Sequence, residues 1–71
     1  MTRLKLRIVG MHCGHCQMKV EQALKGVAGT HNVAVFRTEG EAEVDYDAAH
    51  ASPDRYVSAV HEAGYAASVM D

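Results

Sequence analysis

From Arg3 to Val9 the chain alternates basic and apolar side chains, Arg-Leu-Lys-Leu-Arg-Ile-Val, and Gly10 ends the alternation. A period of two puts Leu4, Leu6 and Ile8 on one face and Arg3, Lys5 and Arg7 on the other, which predicts a half-buried strand over residues 3–9. From about Cys16 the period lengthens. Val20, Ala23, Leu24 and Val27 recur at helical spacing, with Lys19, Glu21, Gln22 and Lys25 on the opposite face; Gly26 and Gly29 mark the end. Two more strand-like stretches follow, 31–37 and 41–46, joined by a turn at Thr38-Glu39-Gly40. Ser52 is placed to N-cap a second helix with Pro53 at its first position. Tyr56, Val57, Ala59, Val60 and Ala63 form its apolar side, Gly64 closes it, and residues 65–70 make a last short strand.

The resulting order is strand, helix, strand, then strand, helix, strand. That succession predicts an α+β fold of the ferredoxin-like βαββαβ kind, one four-stranded antiparallel sheet with two helices on one face. Val33, Val35, Ala42, Val44 and Tyr46 should face the core, with Tyr56 at its rim. The alternating Glu39, Glu41, Glu43, Asp45 and Asp47 should form the solvent face of the sheet. With 71 residues and no linker or low-complexity segment, residues 1–71 are expected to be one domain.

Composition narrows the function. Seven basic against nine acidic residues give a net charge of −2, with no basic run, so nucleic acid is not expected as a partner. No apolar run approaches the roughly 18 residues needed to cross a membrane. The N-terminal stretch reads as a strand, not as an export signal, which makes a reducing cytoplasm the expected compartment. A domain below about 70–80 residues draws only about 3–5 kcal/mol from its core and often needs a covalent or metal staple. The two cysteines, Cys13 and Cys16, are the only ones in the chain and lie too close together to staple it, since the loop they would close removes little chain entropy. Their purpose is therefore chemical.

The cysteines stand in "GMHCGHC", residues 10–16, after the first strand and at the start of the first helix. Unpaired backbone N–H groups and the helix dipole lower a thiol's pKa there, which serves metal binding and disulfide exchange equally. Other features favour a metal. His12 stands where a thioredoxin-type enzyme normally has an aromatic residue, and the only proline, Pro53, sits at a helix start where a trans bond is expected. Covalent haem attachment needs a histidine after the second cysteine, where Gln17 stands. A structural zinc site needs four ligands, and no second Cys-x-x-Cys or His pair is spaced to supply them. Two soft thiolates without obligatory further ligands suit a soft, low-coordinate cation, and Cu(I) is the leading candidate.

Gly-Met-x-Cys-x-x-Cys between a strand and a helix resembles the heavy-metal-associated domain family. The likeness extends to Val-x-Val at 33–35, Ala-x-Val-x-Tyr-Asp at 42–47 and Glu-Ala-Gly-Tyr at 62–65. It implies a bacterial cytosolic copper chaperone, or the metal-binding domain of a P-type metal ATPase. Cys13 and Cys16 match the ligands, Met11 a methionine that fixes the loop from the core, and Tyr65 a tyrosine that shields the metal. The chain begins with Met and stops just after its last strand, so a free-standing chaperone is expected, with the ATPase's own metal-binding domain as its partner. His12 departs from the family's usual Thr or Ser. It offers a hydrogen bond, a titratable charge or a nitrogen ligand, and with His15 and Tyr65 it is expected in the near shell of the metal.

Lys19, one turn into the helix, is a candidate docking charge. His31, His50 and His61 read as surface residues. The expected protein is not an enzyme; it is a monomer that a shared metal could bridge into a dimer. A small dithiol oxidoreductase and a carrier of Hg(II) or Zn(II) use the same two cysteines and stand as alternatives.

Overall fold

The structure, a computed structural model, describes residues 2–70. Its elements run β1 (Thr2–Val9), α1 (Gly14–Lys25), β2 (Thr30–Phe36), β3 (Glu41–Tyr46), α2 (Pro53–Glu62) and β4 (Ala66–Met70). The strands form one antiparallel sheet in the order β2-β3-β1-β4. This is the expected ferredoxin-like βαββαβ architecture.

The alternation in β1 does what its period requires. Leu4, Leu6 and Ile8 are buried while Arg3, Lys5, Arg7 and Val9 are exposed. Ala42, Val44 and Tyr46 of β3 point to the same side and are buried, and Val20 and Leu24 of α1 and Val60 of α2 close over them. Val33 and Val35 are only half-buried against this cluster, because β2 is an edge strand. Tyr56 belongs to the centre of the core and not to its rim. It is wholly buried, its ring lies 5.3 Å from that of Tyr46, and its hydroxyl is 2.6 Å from Thr30 Oγ1. A buried phenol costs little once its oxygen has a partner, and Thr30 supplies one across 26 residues of sequence.

On the open face of the sheet, the acidic residues of β3 stand in register opposite the basic ones of β1: Asp45 against Arg3, Glu43 against Lys5, Glu41 against Arg7. Arg3 Nε lies 2.9 Å from Asp45 Oδ1 and 3.3 Å from Glu43 Oε1. These exposed pairs add little stability each, but they neutralise the acidic stripe and fix the register.

Candidate metal centre

Antiparallel pairing sends β1 and β2 out of the sheet at the same end, and the loop between β1 and α1 sits there. Gly10 turns the chain out of β1 at a φ of 96°, in the left-handed region that glycine adopts without strain, and a Cβ on it would meet the Tyr65 ring at 3.5 Å. Met11 then drops into the core, 6% exposed and clustered with the buried residues of sheet and helices. An unbranched thioether fills such an irregular gap well. Anchored by Met11, the loop holds His12 and Cys13 outward, both exposed.

α1 begins at Gly14, two residues before the point its periodicity suggests. Cys13 is the N-cap with extended backbone, and its carbonyl accepts the Gln17 N–H at 3.1 Å. The two cysteines therefore bracket the first helical turn, which brings Sγ to within 3.3 Å of Sγ. Cys13 is exposed and Cys16 half-buried, and both are free thiols.

The Cys16 thiol is lowered from 9.0 to about 7. The largest cause is a hydrogen bond from the Tyr65 hydroxyl, followed by one from Cys13; desolvation opposes them, and the backbone of His12 and Cys13 adds the smallest lowering contributions. The same bond pushes the Tyr65 hydroxyl up from its usual value. Tyr65 reaches the thiol because of how α2 ends. Gly64 takes a φ of 99°, the Tyr65 N–H bonds back to the Val60 carbonyl at 3.2 Å and the Gly64 N–H to His61 at 3.0 Å, a Schellman closure that aims the following residue at the loop. These contacts favour the thiolate of Cys16, the form that binds soft metals.

The other candidates take up different positions. His15 is exposed on the first turn of α1, and Lys19 is exposed one turn further on. Among the described residues no group of three or more His, Cys, Asp or Glu side chains comes together as a metal site, so neither His12 nor His15 completes a three-donor set with the thiols. His61 is exposed near the end of α2, and His50 lies beside Asp47 at 3.7 Å.

Two neighbours of the loop escaped the sequence reading. Gln17 Nε2 donates to the Val35 carbonyl at 3.4 Å, tying α1 to the edge strand. Arg37, just past β2, places Nη1 4.0 Å from where a Cβ on Gly14 would be. The signal for Arg37 was topological: in a strand-helix-strand unit with parallel strands, the residues leaving both strands meet at one end.

Two close, partly exposed sulfurs, with no His, Asp or Glu among the described residues grouped with them, are a donor set for a soft cation. The chain belongs to the heavy-metal-associated domain family, whose model matches residues 5–66. It is 34% identical over 68 residues to a copper-exporting P-type ATPase of Staphylococcus aureus, a match that covers 96% of this chain and 8% of the ATPase. Among solved structures it is similar to the CopZ metallochaperone, with a TM-score of 0.89 and 30% identity over 97% of this chain and all of that one. It is similar also to the N-terminal domain of ZntA in its Zn(II) form, with a TM-score of 0.87 and 31% identity over 99% of this chain and 93% of that one. Among the described residues no helix is long and apolar enough to cross a membrane.

Proposed function

We propose that this chain is a copper chaperone, a non-enzymatic carrier in which Cys13 and Cys16 bind Cu(I) as thiolates and pass it on by ligand exchange. The reading rests on the donor set, two sulfurs 3.3 Å apart at an exposed helix start with, among the described residues, no third His, Cys, Asp or Glu grouped with them. Such a shell is complete enough for Cu(I) and leaves room for an incoming thiolate. Zinc usually fills a tetrahedron, which two thiolates alone leave half empty.

Residues 1–71 act here as one metal-binding unit. Met11 anchors the loop from the core, and Tyr65 holds Cys16 towards its thiolate form. His12 and His15 set the charge and hydrogen bonding around the loop without ligating. The acceptor is the Cys-x-x-Cys domain of a P-type copper ATPase, whose approach Lys19 helps to steer, and the exchange takes place in the cytoplasm. The carrier works as a monomer; a metal shared by two copies would make a dimer and appear as a half-equivalent endpoint in titration.

The likeness to a zinc-bound domain supports a second reading, a Zn(II) carrier using the same thiols. An anaerobic titration of the reduced protein against a chromophoric Cu(I) chelator, repeated with Zn(II), separates the two. One-to-one capture of Cu(I) in competition, with weak Zn(II) binding, is the expected result; the reverse preference would replace copper with zinc in this account. The lowered Cys16 thiol also suits a dithiol oxidoreductase. An insulin-reduction assay tests that alternative, and sustained turnover would displace the carrier reading.

A further inference from the structure

We propose that Arg37 selects the thiolate that takes the metal away, favouring one that carries a carboxylate close to its sulfur. The proposal rests on Cys13 and Cys16 holding Cu(I) and adds a preference to that site. Arg37 follows the last residue of β2, and its carbonyl accepts the Gly40 N–H at 3.2 Å in the turn before β3. That turn brings its side chain back to the thiol loop, where a methyl group at Gly14, the residue after Cys13, would lie 4.0 Å from Arg37 Nη1.

The charge of Arg37 is also uncommitted. Arg3 and Arg7, on β1, pair with Asp45, Glu43 and Glu41. Arg37 is exposed and, among the described residues, makes no ion pair within 4.0 Å. A guanidinium offers a planar fork that takes a carboxylate through two parallel hydrogen bonds.

During exchange the incoming thiol loses its proton and its sulfur adds to Cu(I) as a third ligand. Cys13 or Cys16 then leaves the metal and takes up a proton, and copper remains Cu(I) throughout. Cys13 is the exposed thiol, and Gly14, the next residue, is the loop position that Arg37 Nη1 approaches. A carboxylate a few bonds from the incoming sulfur then falls within reach of the fork. Two sources offer that chemistry: a small carboxylated thiol, or an acceptor loop with an acidic residue beside its cysteine.

The test loads the full chain with Cu(I) and follows metal release to two pairs of acceptors at equal thiolate concentration. The first pair is mercaptosuccinate and 2-mercaptoethanol. The second is two synthetic Cys-x-x-Cys peptides that differ only in Asp or Asn before the first cysteine. The unsubstituted protein should release faster to the anionic member by roughly two- to fivefold, the range of an exposed ion pair. Arg37→Ala should lose that preference, Arg37→Glu reverse it and Arg37→Lys keep part of it. Salt near 1 M should erase it, because charges are then screened within about 3 Å. Cu(I) affinity by chelator competition should be the same in Arg37→Ala as in the unsubstituted protein. An effect in one pair alone identifies the source of the carboxylate. Equal ratios for the unsubstituted protein and Arg37→Ala in both pairs would overturn the role of Arg37. Failure of the unsubstituted protein to capture Cu(I) at all would overturn the chaperone reading and this one with it.

Discussion

The two ends of the sheet treat their polar atoms in opposite ways. At the end where β2 starts and β3 stops, Tyr56 is fully buried, its hydroxyl is matched to Thr30, and the Tyr46 ring packs against it. At the other end Cys13 lies open to solvent, Cys16 is half-covered, and the two sulfurs have each other and the Tyr65 hydroxyl for partners. The first end gains stability from satisfied burial; the second leaves its sulfurs accessible, which is the condition the proposed metal transfer requires. Met11 and Leu24 belong to the one core cluster that connects loop and helix.

Substitutions can break this contrast in descending order of effect. Replacing either Cys13 or Cys16 by Ser should abolish Cu(I) capture in chelator competition, while the circular dichroism spectrum and the melting temperature stay close to those of the unsubstituted protein. A mutant that unfolded would show the thiols to be structural. Leu24→Ala acts on the other side of the comparison. Truncating a fully buried leucine costs about 2–5 kcal/mol, comparable with the whole stability of so small a domain, and urea unfolding should show the loss directly.

Met11→Ala should lie in the same range or slightly below it, and it should also weaken Cu(I) binding because the loop loses its anchor. Full affinity in a destabilised Met11→Ala protein would separate loop from core and refute the anchoring role. Tyr56→Phe keeps the ring but removes the bond to Thr30, so about 0.5–1.5 kcal/mol should be lost with metal binding untouched.

Tyr65→Phe sharpens the contrast with the least disturbance. Its expected mark is a Cys16 alkylation midpoint that moves from about 7 up towards 9.0, followed as iodoacetamide reactivity against pH in the metal-free protein. The sign for stability follows. Because the folded thiol titrates below its ordinary value, its contribution is complete above the ordinary value of 9.0 and disappears as pH falls through about 7. In Tyr65→Phe that pH dependence should flatten. An unmoved midpoint would assign the lowered thiol to the Cys13 sulfur and the loop backbone instead.

Much of this was legible in the chain itself. Leu4, Leu6 and Ile8 declared the central strand, the shift in period after Gly10 declared the first helix, and the doubled strand-helix-strand order declared the topology, since each depends on local patterning. Tyr56 was misjudged because its burial depends on an oxygen partner 26 residues away, which no local pattern reveals. The helix start was read two residues late because Cys13 caps it through its backbone alone, with no side-chain bond to signal the position. Ser52 illustrates the same point in reverse: it occupies the N-cap of α2 as its residue type suggests, but its side chain makes no capping bond there. At the site, the thiols and Met11 were legible from the motif. Arg37 and Gln17 were not, because their relation to the loop exists only once β2 lies beside α1.

The strand order also dictates when this site comes into being during synthesis. β1, made first, pairs with β4, made last, with Lys5 opposite Met70 and Val9 opposite Ala66. Tyr65, whose hydroxyl is the largest cause of the lowered Cys16 thiol, immediately precedes β4. A nascent chain therefore presents "GMHCGHC" to the cell many residues before it can frame those thiols, and the long stretch of chain between β1 and β4 must close into their pairing before the frame exists. Ribosome-bound chains should thus hold two ordinary cysteines, and the metal trap is set only when the final strand of the fold has cleared the exit tunnel and docked.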